Sequence, residues 1–171
     1  GLTQLHLGAP LTLLQAFLPA MKSGKFGRVM FNGSRAALGV PTRTAYGASK
    51  AAGEEAVEQV LGGEGRGVIL RTSWVMGPVG KNFALTMLRL HREREQLRVV
   101  ADQVGCPTAT PGLAAACWGA IGQGVWGLHH WSDAGAASWY DFAVAIGELG
   151  VNAGLLSRAA AVEPISTADY P

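Results

Sequence analysis

Two short, continuous apolar runs limit what this chain can fold into. They are GRVMFNGS, Gly27 to Ser34, which lies between breaker residues, and GVILRTSWV, Gly67 to Val75, which repeats the pattern. A run of this length without polar alternation predicts a strand covered on both faces, as in a parallel sheet. Between the runs lies an alanine-rich, helix-favouring segment that ends near Leu61. The order strand, helix, strand predicts a doubly wound α/β fold.

The rest of the sequence continues this alternation of helix and strand. Pro10 to Met21 is apolar on nearly every face, which predicts a buried helix whose last turn is ended or kinked by Pro19. The sequence downstream predicts a helix in residues 81–97, a strand in 98–103, a helix that begins at Thr110 and Pro111, and a strand in 124–131. A last helix is predicted to begin at a capping box of Ser138 and Asp141 and to end at Gly150. No internal repeat interrupts this order.

Length and charge narrow the class of protein further. At 171 residues the chain is long enough for one domain with a sizeable core. Fourteen lysines and arginines against twelve acidic residues give a net charge of +2, which is too small for a nucleic-acid groove or a membrane-binding patch. No apolar run reaches the roughly 18 residues of a membrane helix, and the start lacks the order of a signal peptide. We therefore expect a soluble, cytoplasmic protein that binds neither nucleic acid nor membrane.

Cysteine and histidine give no sign of a metal site. Cys106 and Cys117 lie eleven residues apart with no second Cys/His pair, so neither a zinc site nor a disulfide framework is predicted. His129 and His130 are adjacent on a predicted strand, where neighbours point to opposite faces. We therefore expect one packed and one exposed histidine, reduced thiols, and no metal.

The segment TAYGASKAAGEEA, Thr44 to Ala56, places Tyr46 and Lys50 four residues apart on the helix-favouring segment. On a helix this spacing brings both polar ends toward one cleft. A free tyrosine has a pKa of about 10, so it exchanges protons at neutral pH only when a cation such as Lys50 stabilises the phenolate. Ser34, at the end of a predicted strand, is placed to hold a substrate carbonyl oxygen. For the pair alone, the favoured interpretation is a lysine that extends past a packed ring in an ordinary helix.

The surroundings of this pair resemble a known active site. The stretch GRVMFNGSRAALGVPTRTAYGASKAA is similar to the active-site segment of the short-chain dehydrogenase/reductase superfamily. The resemblance implies that Ser34 orients a carbonyl, that Tyr46 donates a proton, and that Lys50 lowers the tyrosine pKa and binds the nicotinamide ribose. The spacing of twelve from Ser34 to Tyr46 is one shorter than in many members, and His6 stands where an asparagine is common.

From Tyr46 onward the sequence resembles one branch of that superfamily, the dTDP-4-dehydrorhamnose reductases. The similar stretches are YGASKAAGE, ILRTSWVMGPVGKNFALTMLRL, LRVVADQVGCPT, ASWYDFAVAI and EPISTADYP. The resemblance implies an enzyme that reduces the 4-keto group of a nucleotide-linked deoxysugar with NADPH or NADH, in dTDP-rhamnose biosynthesis. It implies cofactor contacts from Tyr46, Lys50, Thr72 and Gly77, and substrate contacts from Trp74, Asn82, Arg89, Gln103 and Thr108.

Taken singly, the substrate-contact residues have simpler explanations. Trp74 is equally well explained as a core residue, and each of the polar side chains is more readily a surface or capping residue than a ligand. Some relatives bind magnesium through a glutamate after the Pro107-Thr108 step, where this chain has Pro111. This difference supports the prediction of no metal.

The chain carries no Gly-rich turn of the kind that receives a cofactor pyrophosphate. GGEGRG, Gly62 to Gly67, follows a helix and precedes a strand, which is the reverse of the required order. We therefore expect a partial Rossmann-like sheet in residues 1–75, the C-terminal half of a cofactor and catalytic domain, and a small α/β sugar-nucleotide-binding part in 76–171, packed as one unit.

A sheet that lacks its first strands exposes an edge, which predicts a homo-oligomer. Upstream of Tyr46 the similarity is to short members of the superfamily, and downstream it is to the extended branch. The alternative function is therefore that of a catalytically inactive remnant, truncated or recombined, which serves as an oligomeric or partner-binding scaffold.

Overall fold

The two apolar runs form neighbouring parallel strands, as predicted. The computed structural model describes residues 4, 8–24, 29–34, 44–61, 63, 65 and 67–170, and for 10, 14, 22, 29–34 and 44–46 it describes the backbone alone. The elements are, in chain order, α1 (Ala9–Ser23), β1 (Val29–Ser34), α2 (Thr44–Leu61), β2 (Gly67–Thr72), β3 (Val75–Met76), α3 (Phe83–Glu93), β4 (Gln96–Val100), β5 (Val104–Gly105), β6 (Thr108–Ala109), α4 (Thr110–Gly122), β7 (Gly127–His130), β8 (Ala137–Ser138), α5 (Trp139–Asn152), β9 (Ala161–Ile165) and a 3-10 turn (Thr167–Asp169).

The chain divides into two compact units. The first contains Gly1–Ser73 and Gly112–Trp131, and the second contains Trp74–Pro111 and Ser132–Pro171. The first crossing between the units lies close to the boundary predicted at residue 75, whereas α4 and β7 return the chain to the first unit. The packing of the two parts as one body stays a prediction.

The described strands of the first unit form a three-stranded parallel sheet with the order β1-β2-β7. Val29 lies opposite Gly67 at one end of the β1-β2 ladder, and Ser34 lies opposite Thr72 at the other. The helix α2 connects these two strands, which is the strand, helix, strand order of an α/β fold. The prediction of an α/β protein with a parallel sheet is therefore confirmed.

The core of the first unit joins α2 to the central strand. Val57 and Leu61 of α2 pack with Ile69 of β2, and each of the three is at most 3% exposed. Leu11 and Leu18 of α1 pack against this cluster. One stripe of α1 therefore faces the core of its own unit.

The prediction that α1 is a buried helix is wrong. Leu13 and Phe17 are 58% and 57% exposed. The reason is that a helix packed by one stripe leaves its other apolar side chains in solvent, whatever its composition. The helix also continues past Pro19 to Ser23, so the proline does not end it.

The core of the second unit lies between two helices and a parallel pair of strands, β4 and β9. Its buried members are Met87 of α3, Leu97 and Val99 of β4, Ala143 of α5, and Ala160. The predicted helix in residues 81–97 ends at Glu93 instead, because Leu97 and Val99 alternate inward on β4 and are buried there. Among the described helices, none combines the length and apolar character that crossing a bilayer requires.

A buried histidine links the elements of this second core. His91 is 2% exposed, and its Nδ1 accepts a hydrogen bond from the Ala160 N–H at 3.1 Å. Since Nδ1 accepts, the hydrogen-bond network assigns the ring proton to Nε2, which donates to the Ala143 carbonyl at 3.0 Å. Both ring nitrogens are therefore satisfied, and the imidazole is fixed between α3, α5 and the start of β9.

The helix α5 begins as predicted and ends later than predicted. Ser138 and Asp141 form the capping box that the sequence indicated. Gly150 does not end the helix, which runs on to Asn152. Instead, Gly150 allows close packing, because a Cβ there would lie 2.7 Å from Leu156 Cδ1. The chain reverses at Gly154, where φ is +68°.

Adding one methyl group beside the buried histidine should destabilise the second unit. A Cβ on Gly147 of α5 would lie 2.8 Å from His91 Cε1 and 3.1 Å from Ala159 Cβ, and the imidazole cannot retreat without losing a hydrogen bond. We expect Gly147→Ala to lower the free energy of unfolding by about 1–3 kcal/mol in urea denaturation.

Gly119→Ala is the matched control, because this glycine of α4 has only one atom, 4.0 Å away, near its added Cβ. In a helix interior, that substitution should leave stability unchanged or raise it by about 0.5–1 kcal/mol. Equal stabilities of the two variants would contradict the packing described around His91.

Candidate active site

The carboxyl ends of β1 and β2 bring two predicted site residues together. Ser34 and Thr72 are the last residues of adjacent parallel strands and lie opposite each other in register. In open α/β sheets, ligands bind outside this edge. Thr72 is 7% exposed, and its Oγ1 has no hydrogen-bond partner in the part of the chain that the structure describes. An unpaired buried hydroxyl costs about 1–3 kcal/mol, so its presence at this edge favours a role in ligand binding.

Tyr46 and Lys50 lie on α2 within its first two turns. The side chains of Tyr46 and Ser34 fall outside the described atoms, and their roles stay predictions. The helical backbone gives Tyr46 and Lys50 the spacing that puts both on one face. Lys50 is half-buried, and burial lowers the pKa of its amine, while the nearby Glu54 carboxylate acts in the opposite direction.

A buried ion pair, which the sequence analysis missed, stands next to this lysine. Arg71 Nε donates to both carboxylate oxygens of Glu54 at 3.1 Å, and Arg71 Nη2 donates to Oε2 at 2.7 Å. The two side chains are only 12% and 8% exposed. Their hydrogen bonds raise the pKa of Arg71. An arginine inside an otherwise apolar strand was the signal available in the sequence, because a charge there needs a buried partner.

Removing one member of this pair should be costly. Glu54→Leu leaves the Arg71 guanidinium buried without its partner, and we expect a loss of about 3–5 kcal/mol in the free energy of unfolding. The double variant Glu54→Leu with Arg71→Met should recover most of that loss. Urea denaturation measures these changes. Arg89→Ala is the control, because the exposed Arg89–Glu93 pair should contribute only about 0.3–0.5 kcal/mol to the free energy of unfolding. A Glu54→Leu variant no less stable than this control would contradict the role of the pair.

The lowered pKa of Lys50 has a measurable consequence at alkaline pH. The folded chain should release the Lys50 proton at a lower pH than an ordinary lysine, whose pKa is about 10.4. At pH values between the lowered pKa of the folded state and the ordinary pKa of the unfolded state, the unfolded state binds more protons than the folded state. The free energy of unfolding should therefore rise with pH across that window. Lys50→Met should flatten this rise. Nuclear magnetic resonance of 13C-methylated lysines, assigned with Lys50→Arg, measures the titration directly, and a Lys50 midpoint at or above the ordinary value would refute it.

In the second unit, Trp74 has an unusual backbone conformation. Among the residues that the structure describes, it is the only one other than glycine with a positive φ, at +43°. The predicted strand GVILRTSWV breaks at this point into β2 and β3. For a bulky side chain this region of φ is strained, and such strain concentrates at binding sites.

Aromatic contacts surround the Trp74 ring. It stacks on Trp139 with ring centroids 3.5 Å apart and an interplanar angle of 10°. A Cβ on Gly105 would overlap the indole of Trp74, which explains why a glycine stands there. Phe83 packs in turn on Trp139, with ring centroids 4.5 Å apart. The indole is therefore half-buried and ordered by its neighbours, and its contact with substrate stays a prediction.

The polar residues of the predicted substrate set have structural partners. Asn82 caps α3, because its Oδ1 accepts from the Leu85 N–H at 3.0 Å and its Nδ2 donates to the Gly77 carbonyl at 2.8 Å. Thr108 is 1% exposed and donates to the Cys106 carbonyl at 3.2 Å. These partners agree with the capping and packing alternatives, and direct contact with substrate stays a prediction for both residues.

Gln103, Arg89 and Gly77 complete the predicted set. Gln103 is exposed and accepts a hydrogen bond from Trp139 Nε1 at 3.3 Å. Arg89 is exposed and pairs with Glu93 at 2.8 Å on the surface of α3. Gly77 lies against Thr110, whose Oγ1 would be 2.7 Å from an added Cβ. The ion pair of Arg89 is therefore made within α3, and its contact with substrate stays a prediction.

The histidine prediction is wrong. His129 and His130 are both exposed, and β7, which carries them, is an edge strand among the strands that the structure describes. His129 Nε2 lies 2.8 Å from the Trp126 carbonyl oxygen. Cys106 and Cys117 are both thiols. Over the described ranges, no group of three or more histidine, cysteine or acidic side chains is arranged to hold a metal ion.

Two protein families match this chain. Residues 40–171 match the family described as the RmlD substrate binding domain. The chain belongs to this family. Residues 2–66 also match the short chain dehydrogenase family, so the resemblance drawn from the sequence is confirmed in both halves.

The curated relatives of this RmlD-family chain include a reductase and a polysaccharide biosynthesis protein. The chain is 42% identical over 132 residues to the dTDP-4-dehydrorhamnose reductase of Aggregatibacter actinomycetemcomitans, an alignment that covers 74% of this chain and 44% of that protein. It is 43% identical over 116 residues to the spore coat polysaccharide biosynthesis protein SpsK of Bacillus subtilis, covering 67% of this chain and 40% of that one. The chain therefore spans less than half the length of these relatives.

Solved structures in the family share the fold. The dTDP-4-dehydrorhamnose reductase of Bacillus anthracis, solved in complex with NADP, superposes with a TM-score of 0.72 at 31% identity, covering 84% of this chain and 52% of that one. The dTDP-4-dehydrorhamnose reductase of Clostridium acetobutylicum superposes with a TM-score of 0.76 at 30% identity, covering 89% of this chain and 55% of that one. The predicted Rossmann-like α/β class is confirmed by these likenesses.

Proposed function

We propose that the chain is the catalytic and substrate-binding part of a reductase that reduces the 4-keto group of a nucleotide-linked deoxysugar. The observation that carries this proposal is the edge of the parallel sheet, where the predicted serine ends β1 opposite Thr72. The Thr72 hydroxyl is buried there and has no hydrogen-bond partner among the described residues. The relatives named dTDP-4-dehydrorhamnose reductase support the substrate class. The chain spans less than half the length of these relatives, so the proposal concerns the segment that corresponds to it.

The described residues fit the nicotinamide end of NADPH or NADH. Lys50 is a half-buried amine suited to the hydroxyls of a ribose. At the carboxyl edge of the sheet, no described residue occupies the hydrogen bond of the Thr72 hydroxyl. Tyr46 and Gly77 complete the cofactor contacts that we propose. The related enzyme of Bacillus anthracis was solved with NADP, which supports this choice. When bound, the cofactor supplies the hydride that reduces the keto carbon.

The residues of the chain then handle the proton and the orientation of the substrate. Tyr46 donates a proton to the keto oxygen, and the Lys50 ammonium stabilises the phenolate that remains. Glu54 favours the charged form of Lys50 and so opposes the effect of its burial. The Ser34 hydroxyl holds the keto oxygen by a hydrogen bond during the transfer.

The second unit supplies the contacts with the sugar nucleotide. Trp74 offers an apolar ring to the deoxysugar, and Gln103 and Arg89 are exposed polar groups for hydroxyls and phosphate. Asn82 and Thr108 belong to the same proposed set. We propose further that the protein works in the cytoplasm, where nucleotide sugars are made, and as a homo-oligomer that covers exposed apolar side chains such as Phe17.

A substitution of the proton donor tests the proposed reaction. The chain should consume NADPH when dTDP-4-dehydrorhamnose is added, and Tyr46→Phe should reduce kcat by at least about 100-fold, because it removes the transferable proton. Tyr170→Phe is the matched control, because it removes the same hydroxyl group from a tyrosine outside the proposed site. Tyr170 is 64% exposed. The rate of NADPH oxidation, with product identified by mass spectrometry, is the measurement.

The alternative, an inactive scaffold, predicts neither turnover nor binding of NADPH. A folded chain that shows no turnover and no affinity for NADPH in calorimetry would exclude the reductase and favour the scaffold. Turnover that Tyr46→Phe leaves intact would exclude the proposed proton donor while keeping the family's substrate class.

A further inference from the structure

Trp139 and Gln103 hold the ring that the proposed function assigns to the deoxysugar. We propose that Trp139, oriented by Gln103, is a positioning residue that fixes the indole of Trp74 for the sugar nucleotide. This inference rests on the proposed function, because it gives the Trp74 ring its ligand. Neither Trp139 nor its hydrogen bond was among the residues that the sequence indicated.

The stacking geometry fixes the plane of the Trp74 ring. Trp139 covers one face of it with centroids 3.5 Å apart and planes within 10° of parallel. Gly105 lies so close to the Nε1, Cε2 and Cζ2 edge of the indole that any side chain there would collide with it. The Trp74 carbonyl also accepts a hydrogen bond from the Thr108 N–H at 3.0 Å. Backbone, ring face and ring edge are therefore all constrained.

Trp139 is itself held from a second direction. Its Nε1 donates to Gln103 Oε1 at 3.3 Å, and Gln103 Nε2 donates to Thr167 Oγ1 at 3.0 Å. Thr167 is anchored in turn, because its Oγ1 and N–H both donate to the Asp102 carboxylate at distances from 2.6 to 3.0 Å. A chain of hydrogen bonds thus runs from the turn after β9 to the indole that supports Trp74.

This arrangement suits a binding ring that must be ordered before the ligand arrives. A face stacked on Trp139 cannot also receive a sugar, so the ligand contacts the part of the Trp74 ring that its neighbours leave open. A ring already fixed in place loses little conformational freedom on binding, which favours affinity. The apolar surface of a deoxysugar is the chemistry that such a ring recognises.

Four variants and two measurements test this inference. Trp139→Leu removes the stacked partner, and Trp139→Phe keeps an aromatic partner without the Nε1 donor. Gln103→Leu removes the acceptor for Trp139 Nε1 together with the donor to Thr167 Oγ1. Because Gln103 is also a proposed substrate contact, Trp139→Phe, which leaves Gln103 in place, tests the hydrogen bond by itself. Phe142→Leu is the matched control, because Phe142 packs on Phe83 at 5.8 Å in the same aromatic group but makes no ring contact with Trp74. The first measurement is the exciton couplet that two stacked indoles give in circular dichroism. The second is the affinity for dTDP-rhamnose in calorimetry.

We expect Trp139→Leu to lose the couplet and to weaken dTDP-rhamnose binding by on the order of 10-fold to 100-fold. Trp139→Phe should restore most of the affinity although its couplet is lost, and Gln103→Leu should show an intermediate loss. Phe142→Leu should keep both the couplet and the affinity while losing thermal stability. This pattern separates the positioning of Trp74 from a general loss of packing.

Other outcomes overturn the inference. If the unaltered chain binds dTDP-rhamnose and Trp139→Leu binds it equally well, the positioning role is wrong while the proposed function stands. Equal losses of affinity in Trp139→Leu and Phe142→Leu would show that packing alone is responsible. If the unaltered chain shows no affinity for dTDP-rhamnose, the proposed function fails and the inference fails with it.

Discussion

The buried ion pair between Glu54 and Arg71 joins α2 to the central strand, and the arrangement of the sheet edge depends on it. Three hydrogen bonds fix the guanidinium against the carboxylate, so the pair limits rotation of α2 about its axis. Tyr46, Lys50 and Glu54 follow one another at intervals of four residues along one face of that helix. Arg71 is the residue before the end of β2. The contact therefore sets which face of α2 is presented near the carboxyl edge of the sheet.

Stability alone does not account for such a pair. Apolar residues of similar volume in place of a buried ion pair often leave a protein as stable or make it more stable, since desolvating two charges is costly. The benefit of keeping the charges must then lie elsewhere. Glu54 favours the charged form of Lys50, whose pKa burial would otherwise lower further. In the proposed reaction that charge is the one that stabilises the tyrosine phenolate, so the pair links the packing of the unit to its chemistry.

The sequence predicted those features that depend on neighbouring residues along the chain. The apolar runs indicated parallel strands, and the spacing of Tyr46 and Lys50 indicated one helix face, because both are local patterns. Gly150 in the sequence predicts a helix end, whereas in the structure it allows close packing against a leucine of the following segment. Contacts between distant segments, such as Arg71 with α2 and Trp74 with α5, leave at most a sign that a partner is needed, as the charge of Arg71 in an apolar strand does, and the local sequence does not say which residue the partner is. These contacts decide the environment of the candidate site, which is why the sequence indicated the site residues but not the residues that support them.

The strained backbone at Trp74 shows how such supporting contacts act together. A bulky residue at positive φ costs about 1–3 kcal/mol. An aromatic stack contributes about 0.5–1.5 kcal/mol beyond the area that it buries, and a backbone hydrogen bond adds about 1 kcal/mol. The stack on Trp139 and the bond from Thr108 together therefore offset most of a strain of that size. Neither contact suffices by itself at the upper end of that range. The conformation of Trp74 is therefore a joint property of β3, β6 and α5, and a change in any one of them is transmitted to the ring.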